Sequence, residues 1–334
     1  MVERGKNILP MIGFILLVIV AFGGFAFYGR GKDAYNFTVT DNSSKNSVFG
    51  YDIDSTGEVA TGGVDKITIR SVSSEVKIST HNSDRVEAHF YGNVVGFKRE
   101  NIPYLEVEKN GNEALVRIVY PAEKGFKISE DTKLDVAIPE DWNRNIEIKS
   151  ISGDITAKRL TGNDITLNTT SGNMAISEIK AKHTVSASSI SGSCSFDKVI
   201  SDIAKINTTS GSVNIDFLEA KELNFSSVSG DAELNTAAEE AEINTTSGSI
   251  NVSFVNEFDK INAKSISGQI KLGIPGSAEF TANLKTVSGN IDCKDFAMNI
   301  SSSGERELKG RVGSGDGKID VSTTSGDIKI YGIK

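Results

Sequence analysis

The stretch "INTTSGSINV", residues 243–252, decides how this chain is read. Nearly the same words stand at 206–215, "INTTSGSVNI", and at 165–176, "ITLNTTSGNMAI". Marking each Ser-Gly in register gives Gly153, Gly172, Gly192, Gly211, Gly230, Gly248, Gly268 and Gly289, in steps of 18–21 residues. The pattern then skips one place and returns at Gly326. A fixed period of this length marks a stacked-repeat architecture, in which each unit contacts only its neighbours.

The columns around that glycine specify the unit. Two and four residues after it the chain is mostly apolar, as at Val213 and Ile215 or Ile250 and Val252. Five and seven before it the same holds, as at Ile206 and Ala204 or Ile243 and Ala241. Polar residues fill the positions between. This period-two alternation on both sides of a turn reads as strand, Ser-Gly corner, strand. One unit cannot bury its apolar face, but stacked units form a continuous core. Glycine at the corner allows φ > 0 or a tight bend without a Cβ clash.

The two residues before Ser-Gly alternate between Ser-Ile/Val (150–151, 189–190, 227–228, 265–266) and Thr-Thr (169–170, 208–209, 245–246). Three arrangements accommodate this. Coils of about 19 residues pack large against small at the corner, flattened coils of about 38 residues hold two units each, or an antiparallel meander uses Ser-Gly as hairpin tips. The first is favoured, because a coil of about 19 residues encloses a narrow core and the column chemistry is the same in both unit types, while hairpin tips prefer Asn-Gly or Asp-Gly.

Residues 8–29 are 22 positions without a charge. As a helix they rise about 33 Å, enough to cross a hydrocarbon core. Phe27 and Tyr28 stand where a signal-peptide cleavage site needs small residues, so an uncleaved transmembrane anchor is expected. Residues 1–7 then form a cytoplasmic tail. Basic residues flank the span equally, with Arg4 and Lys6 before it and Arg30 and Lys32 after. The short N-terminal tail and the large polar domain place that domain outside, on a single-pass membrane protein. Residues 30–62 are poor in apolar side chains and read as a flexible tether. Residues 63–142 are an irregular β region that starts the solenoid and caps it, "SVSSEVKI" at 71–78 being a degenerate unit. Residues 143–334 are the regular solenoid, whose charged segment around 301–321 reads as a closing hairpin. A net charge of −8 argues against a nucleic-acid partner.

Catalytic and binding signals are sparse. His81, His89 and His183 lack metal-ligand spacing, and no G-x-S-x-G occurs. Ser152, Ser171, Ser191, Ser210 and their equivalents share one corner position, which suits a ladder rather than a nucleophile. Asp154, Asp231 and Asp327 follow the glycine, but Asn, Ser and Gln fill that place elsewhere. "VGSGDG" at 312–317 precedes no helix and reads as a turn. No catalytic, cofactor-binding or metal residue is assigned, and no cofactor is expected. Cys194 and Cys293 occupy inward columns five units apart, about 24 Å at about 4.8 Å per coil, too far for a disulfide. Two free, buried thiols are expected.

Alternating "SISG/SVSG" and "TTSG", a single N-terminal span and a closing "GSGDGKIDVSTTSGDIKI" together resemble the bacterial putative-adhesin β-strand-repeat family. This is a domain of unknown function that includes LiaG-like membrane-anchored proteins of Gram-positive envelope-stress operons. The resemblance covers residues 64–334 and implies an all-β, right-handed β-helix-like solenoid outside the cytoplasmic membrane, with no assigned catalytic residue. It points to a non-catalytic cell-envelope scaffold or adhesin-like surface, with the membrane at residues 8–29 and a cell-wall or envelope protein as candidate partners. Two rivals remain open. One is a polysaccharide-active β-helix enzyme, with His89, Arg99, Glu100 and Asp141 in the irregular half. The other is a filament built by head-to-tail stacking of coil ends.

Overall fold

The computed structural model describes residues 36–41, 50–96, 99–121 and 129–334, with the expected anchor at 8–29 lying outside them. Each repeat unit is a leading strand, the Ser-Gly corner, a trailing strand and a second corner. Leading strands pair in parallel with leading strands: Ile203–Thr208 with Glu222–Ser227, then Glu240–Thr245, then Lys260–Ser265. Trailing strands do likewise, from Cys194–Ile200 through Val213–Glu219, Ala232–Thr236 and Ile250–Phe254 to Ile270–Pro275. The meander reading is therefore wrong. The strands on either side of a Ser-Gly corner lie in different parallel stacks, so the corner is no hairpin tip. In the earlier units the strands Ile155–Thr169 and Met174–Ser189 bend through the second corner unbroken.

The inward columns form the core. Ile148, Leu167, Ala187, Ile206, Phe225 and Ile243 are buried along the leading strands, and Ile155, Met174, Cys194, Val213 and Ile250 along the trailing ones. Their outward neighbours face solvent, as the alternation requires.

The Ser-Gly corners stack backbone on backbone. A Cβ placed on Gly192 would lie 1.9 Å from the carbonyl oxygen of Gly172, and one on Gly248 would lie 2.0 Å from that of Gly230. None of these corner glycines has a positive φ, so close approach rather than backbone handedness demands the residue. The hydroxyl three before each glycine is buried, and in several units it closes the corner, whereas the Thr169 and Thr323 hydroxyls have no hydrogen-bond partner among the described residues. Thr208 donates to the Gly211 carbonyl at 2.8 Å and Ser227 to that of Gly230 at 2.8 Å. The serine that immediately precedes the glycine is exposed, and only its backbone N–H joins the ladder, as from Ser191 to Thr170 O at 2.8 Å. The serine ladder expected from the sequence is thus a backbone ladder. Ser74 takes the glycine position in the degenerate first unit, where its Oγ shares a hydrogen bond of 2.6 Å with Thr132.

The units do not stack in chain order. The last one, Gly317–Thr323 with Ile328–Ile333, is inserted between Lys260–Ser265 with Ile270–Pro275 and Phe280–Thr286 with Ile291–Asp292. The second residue before each corner glycine then runs, in space, Ile151, Thr170, Ile190, Thr209, Val228, Thr246, Ile266, Thr324, Val287. In the chain this alternation fails between Ile266 and Val287; the insertion restores it from Ile151 to Val287, while on its other side Ile151 meets Val72 of the first unit. The first unit, Lys66–Ser71 with Glu75–His81, is inserted too, between Glu113–Val119 with Ser129–Pro139 and Asn145–Ser150 with Ile155–Thr169.

Antiparallel strands close one end and the leading-strand edge of the other. Asn299–Gly304 and Glu307–Val312 form a hairpin beside Phe280–Thr286. At the other end Gly50–Ala60 pairs with Arg85–Val95, which pairs with Ser129–Pro139. Gly50–Ala60 corrects part of the tether reading, because Tyr51, Ile53, Ser55 and Val59 all point inward and are buried. With serine and glycine among its inward positions, the strand carries too few apolar residues to announce itself. Asn36–Asp41 extends the same sheet.

Two predictions follow from the stacking. Gly248→Val forces a side chain into the backbone of the preceding unit and should cost on the order of 1–3 kcal/mol, whereas Ser249→Ala on the exposed neighbour should stay within about 0.5 kcal/mol. Hydrogen exchange should show protection lost first near residues 225–275, and equal tolerance of both changes would remove the corner from its structural role. The insertion places Cys194 and Cys293 six units apart rather than five, about 29 Å at about 4.8 Å per unit. Both are free; Cys194 is buried and Cys293 only partly so, short of the expectation. Burial lifts the Cys194 thiol from an ordinary 9.0 to about 12 and that of Cys293 to about 11. Alkylation at mildly alkaline pH should therefore be slow until denaturant is added, and rapid labelling of the folded chain would contradict the burial.

Candidate binding groove

The second corner differs from the first. It is not held by a repeated glycine, and its loops vary in length. Ser201–Asp202 and Ala220–Lys221 are two-residue turns, residues 237–239 and 276–279 make turns of three and four, and residues 255–259 make one of five. The two-residue turns adjoin longer turns on one side and the unbroken strand Met174–Ser189 on the other. The result is a groove along the stack, of about 950 Å³, lined by residues from six successive second corners.

Its floor is made of small buried residues, Ala181, Ser201 and Ala220. The Ser201 Oγ is buried and has no hydrogen-bond partner among the described residues. Ile200, Phe217, Val255 and Pro275 line it as an apolar strip, and Val255 is 42% exposed, one of few large apolar side chains so placed. Six charged groups join the lining: Lys182, Asp202, Glu219, Lys221, Glu239 and Glu257. Asp202 receives Lys221 Nζ at 2.9 Å and has His183 Nδ1 at 3.7 Å. Chiefly through the Lys221 hydrogen bond, its carboxyl is held below the ordinary range, and Lys221 is raised in return.

The other residues weighed from sequence are dispersed. His89 bonds Asp54 at 2.7 Å and stacks on Tyr91, on the outer face of the first sheet. Arg99 and Glu100 sit exposed on a single 3-10 turn, and Asp141 lies exposed after Ser129–Pro139. No hydrogen bond or ion pair joins these four among the described residues. Three or more metal-ligating side chains come together nowhere among the described residues. The recurrent Asp and Asn after the glycine have a role the sequence did not suggest. Asp154 accepts from the Asn173 N–H at 2.7 Å, Asn173 from that of Ser193 at 3.0 Å, and Asp231 from that of Ser249 at 2.8 Å. Each satisfies a backbone donor in the next unit. Neither was the groove legible beforehand; the one available signal was the uneven spacing of the units between Gly192 and Gly289.

The titration of Asp202 checks the groove's electrostatics. Lys221→Ala should move the Asp202 carboxyl upward toward its ordinary 3.8 in a carbon-detected NMR titration. An unchanged midpoint would mean that the ion pair does not form in solution.

Comparison with known proteins places this geometry in context. The family model described as Toastrack DUF4097 matches residues 64–331. Among solved structures the chain is similar to a putative adhesin from Bacteroides fragilis NCTC 9343, at 16% identity and a TM-score of 0.45, covering 82% of this chain and 95% of that one. A putative adhesin from Parabacteroides distasonis ATCC 8503 shows 17% identity and a TM-score of 0.44, with 82% and 95% covered. A putative lipid binding protein from the same organism shows 15% identity and a TM-score of 0.42, with 84% and 96% covered. None of the curated proteins searched matches the chain.

Proposed function

The chain belongs to the Toastrack DUF4097 family, and from that premise we propose that it is a non-catalytic, membrane-anchored β-solenoid that acts outside the cytoplasmic membrane as an adhesin-like interaction surface or scaffold of the cell envelope. The observation that carries this reading is the equivalence of the outward side chains. A serine before each corner glycine, or an Asp or Asn after it, recurs unit after unit with the same surroundings. Catalysis needs a singular convergence of acid, base or nucleophile, whereas a repeated surface suits recognition of something extended. The solenoid itself is read as right-handed with coils of about 19 residues, supported by the offsets between paired residues: Ile206 opposite Phe225, and Phe225 opposite Ile243.

Membrane attachment rests on the uncharged run at 8–29. Among the described residues no helix is long and apolar enough to cross a membrane, so the anchor is assigned to that run alone. Filament growth by stacking of open coil ends is the weaker reading, because antiparallel strands cover one end and the leading-strand edge of the other.

Protease added to intact spheroplasts should remove the domain C-terminal to residue 30, while residues 1–7 stay protected and the uncleaved chain resists extraction from membranes by high salt. Full protection of the domain would overturn its placement outside the membrane.

A further inference from the structure

We propose that the groove along the second corners binds an extended basic peptide segment in which cationic and apolar side chains alternate. The inference deepens the interaction-surface reading and rests on it. Three independent features of the groove point to such an occupant.

The first is the Ser201 hydroxyl. It lies on the groove floor, 8% exposed, with no partner among the described residues. A buried polar group without a partner is costly unless something supplies a hydrogen bond. The main chain of a peptide in the groove offers both a donor and an acceptor there.

The second is charge. Four carboxylates and two ammonium groups line the groove, a net of −2. Asp202 is already held by Lys221. The carboxylates of Glu219, Glu239 and Glu257 form no ion pair or hydrogen bond among the described residues, Glu239 acting on Lys221 only at longer range, and they come from three successive second corners. A cationic ligand compensates them. A neutral glycan would leave them unpaired, and an anionic polymer would be repelled.

The third is the pairing of an apolar strip with this acidic set. Ile200, Phe217, Val255 and Pro275 line the same groove as the carboxylates. An extended chain sends successive side chains to opposite sides. Alternating apolar and basic residues therefore meet both kinds of lining at once. Six second corners spaced about 4.8 Å apart span about 24 Å, which an extended segment of about seven residues fills at about 3.3 Å each.

The test uses the full-length chain in detergent and fluorescence anisotropy. The probes are a labelled heptapeptide alternating Lys and Val, a blockwise peptide of the same composition, a Glu–Val counterpart and a neutral oligosaccharide of N-acetylglucosamine. The alternating Lys–Val peptide should bind best, and its affinity should fall as salt is raised from about 50 to about 500 mM. Combining Glu219→Gln, Glu239→Gln and Glu257→Gln should weaken binding about tenfold, and Ser201→Ala about fivefold, with unchanged melting temperature. Glu233→Gln, on the trailing-strand face away from the groove, should have no effect. Equal affinity for the blockwise peptide, indifference to the triple substitution, or preference for the oligosaccharide would overturn the proposal. Loss of peptide binding with the domain still protease-accessible on spheroplasts would remove this ligand and leave the extracytoplasmic reading standing. A protected domain that binds peptide would do the reverse.

Discussion

The structure depends on one contact, the meeting of two backbones at the Ser-Gly corner. A Cβ on any of these glycines would sit about 2 Å from the carbonyl oxygen of the glycine stacked beneath it, as with 2.0 Å at Gly211 over Gly192 and 2.3 Å at Gly326 over Gly268. No side chain fits between, so the corners close to backbone distance and bring the flanking strands into parallel hydrogen-bonding register. In units such as those of Gly211 and Gly230 the buried hydroxyl three residues earlier binds the corner's own main-chain carbonyl, so closure leaves that group satisfied there. The repeat in the sequence is this contact written once per unit.

Neighbour contact alone would allow the units to stack in several orders. Alternating corner bulk discriminates among them. A threonine-type corner is wanted between Ile266 and Val287, and the final unit supplies it through Thr324. The chain therefore passes over a slot, makes the next unit and the closing hairpin, and returns to fill the slot. The first unit is likewise flanked on both sides. Consequently neither terminal unit lies at an end of the stack, and antiparallel strands cover one end and the leading-strand edge of the other, where open parallel edges would otherwise recruit other chains.

The two corners divide the work. The glycine corner is invariant in geometry because backbone meets backbone there. The second corner is bounded by small side chains such as Ala181 and Ala220, and its turns accept two to five residues without disturbing the ladder. Variation in the solenoid is thus confined to one line along its side, where unequal loops create a groove and where charges gather without packing constraints. Asp202, held by Lys221 beside His183, lies along that line.

Sequence by itself determined the unit. The period of the Ser-Gly corners, the four inward columns and the parity of the polar positions are properties of single strands, and burial with period two writes them directly into the residue types. It also located the corner glycines, though not the reason for them, since φ and close approach leave the same residue. Tertiary structure decided whatever required two distant segments to be compared. The slot filled by residues 317–333 depends on bulk at Ile266 and Val287, and the strand Gly50–Ala60 on the sheet that accepts it. The pairing of Asp154 and Asp231 with backbone donors one unit on is of the same kind. The groove is too, because its lining comes from six second corners that only the stacking of the units brings side by side.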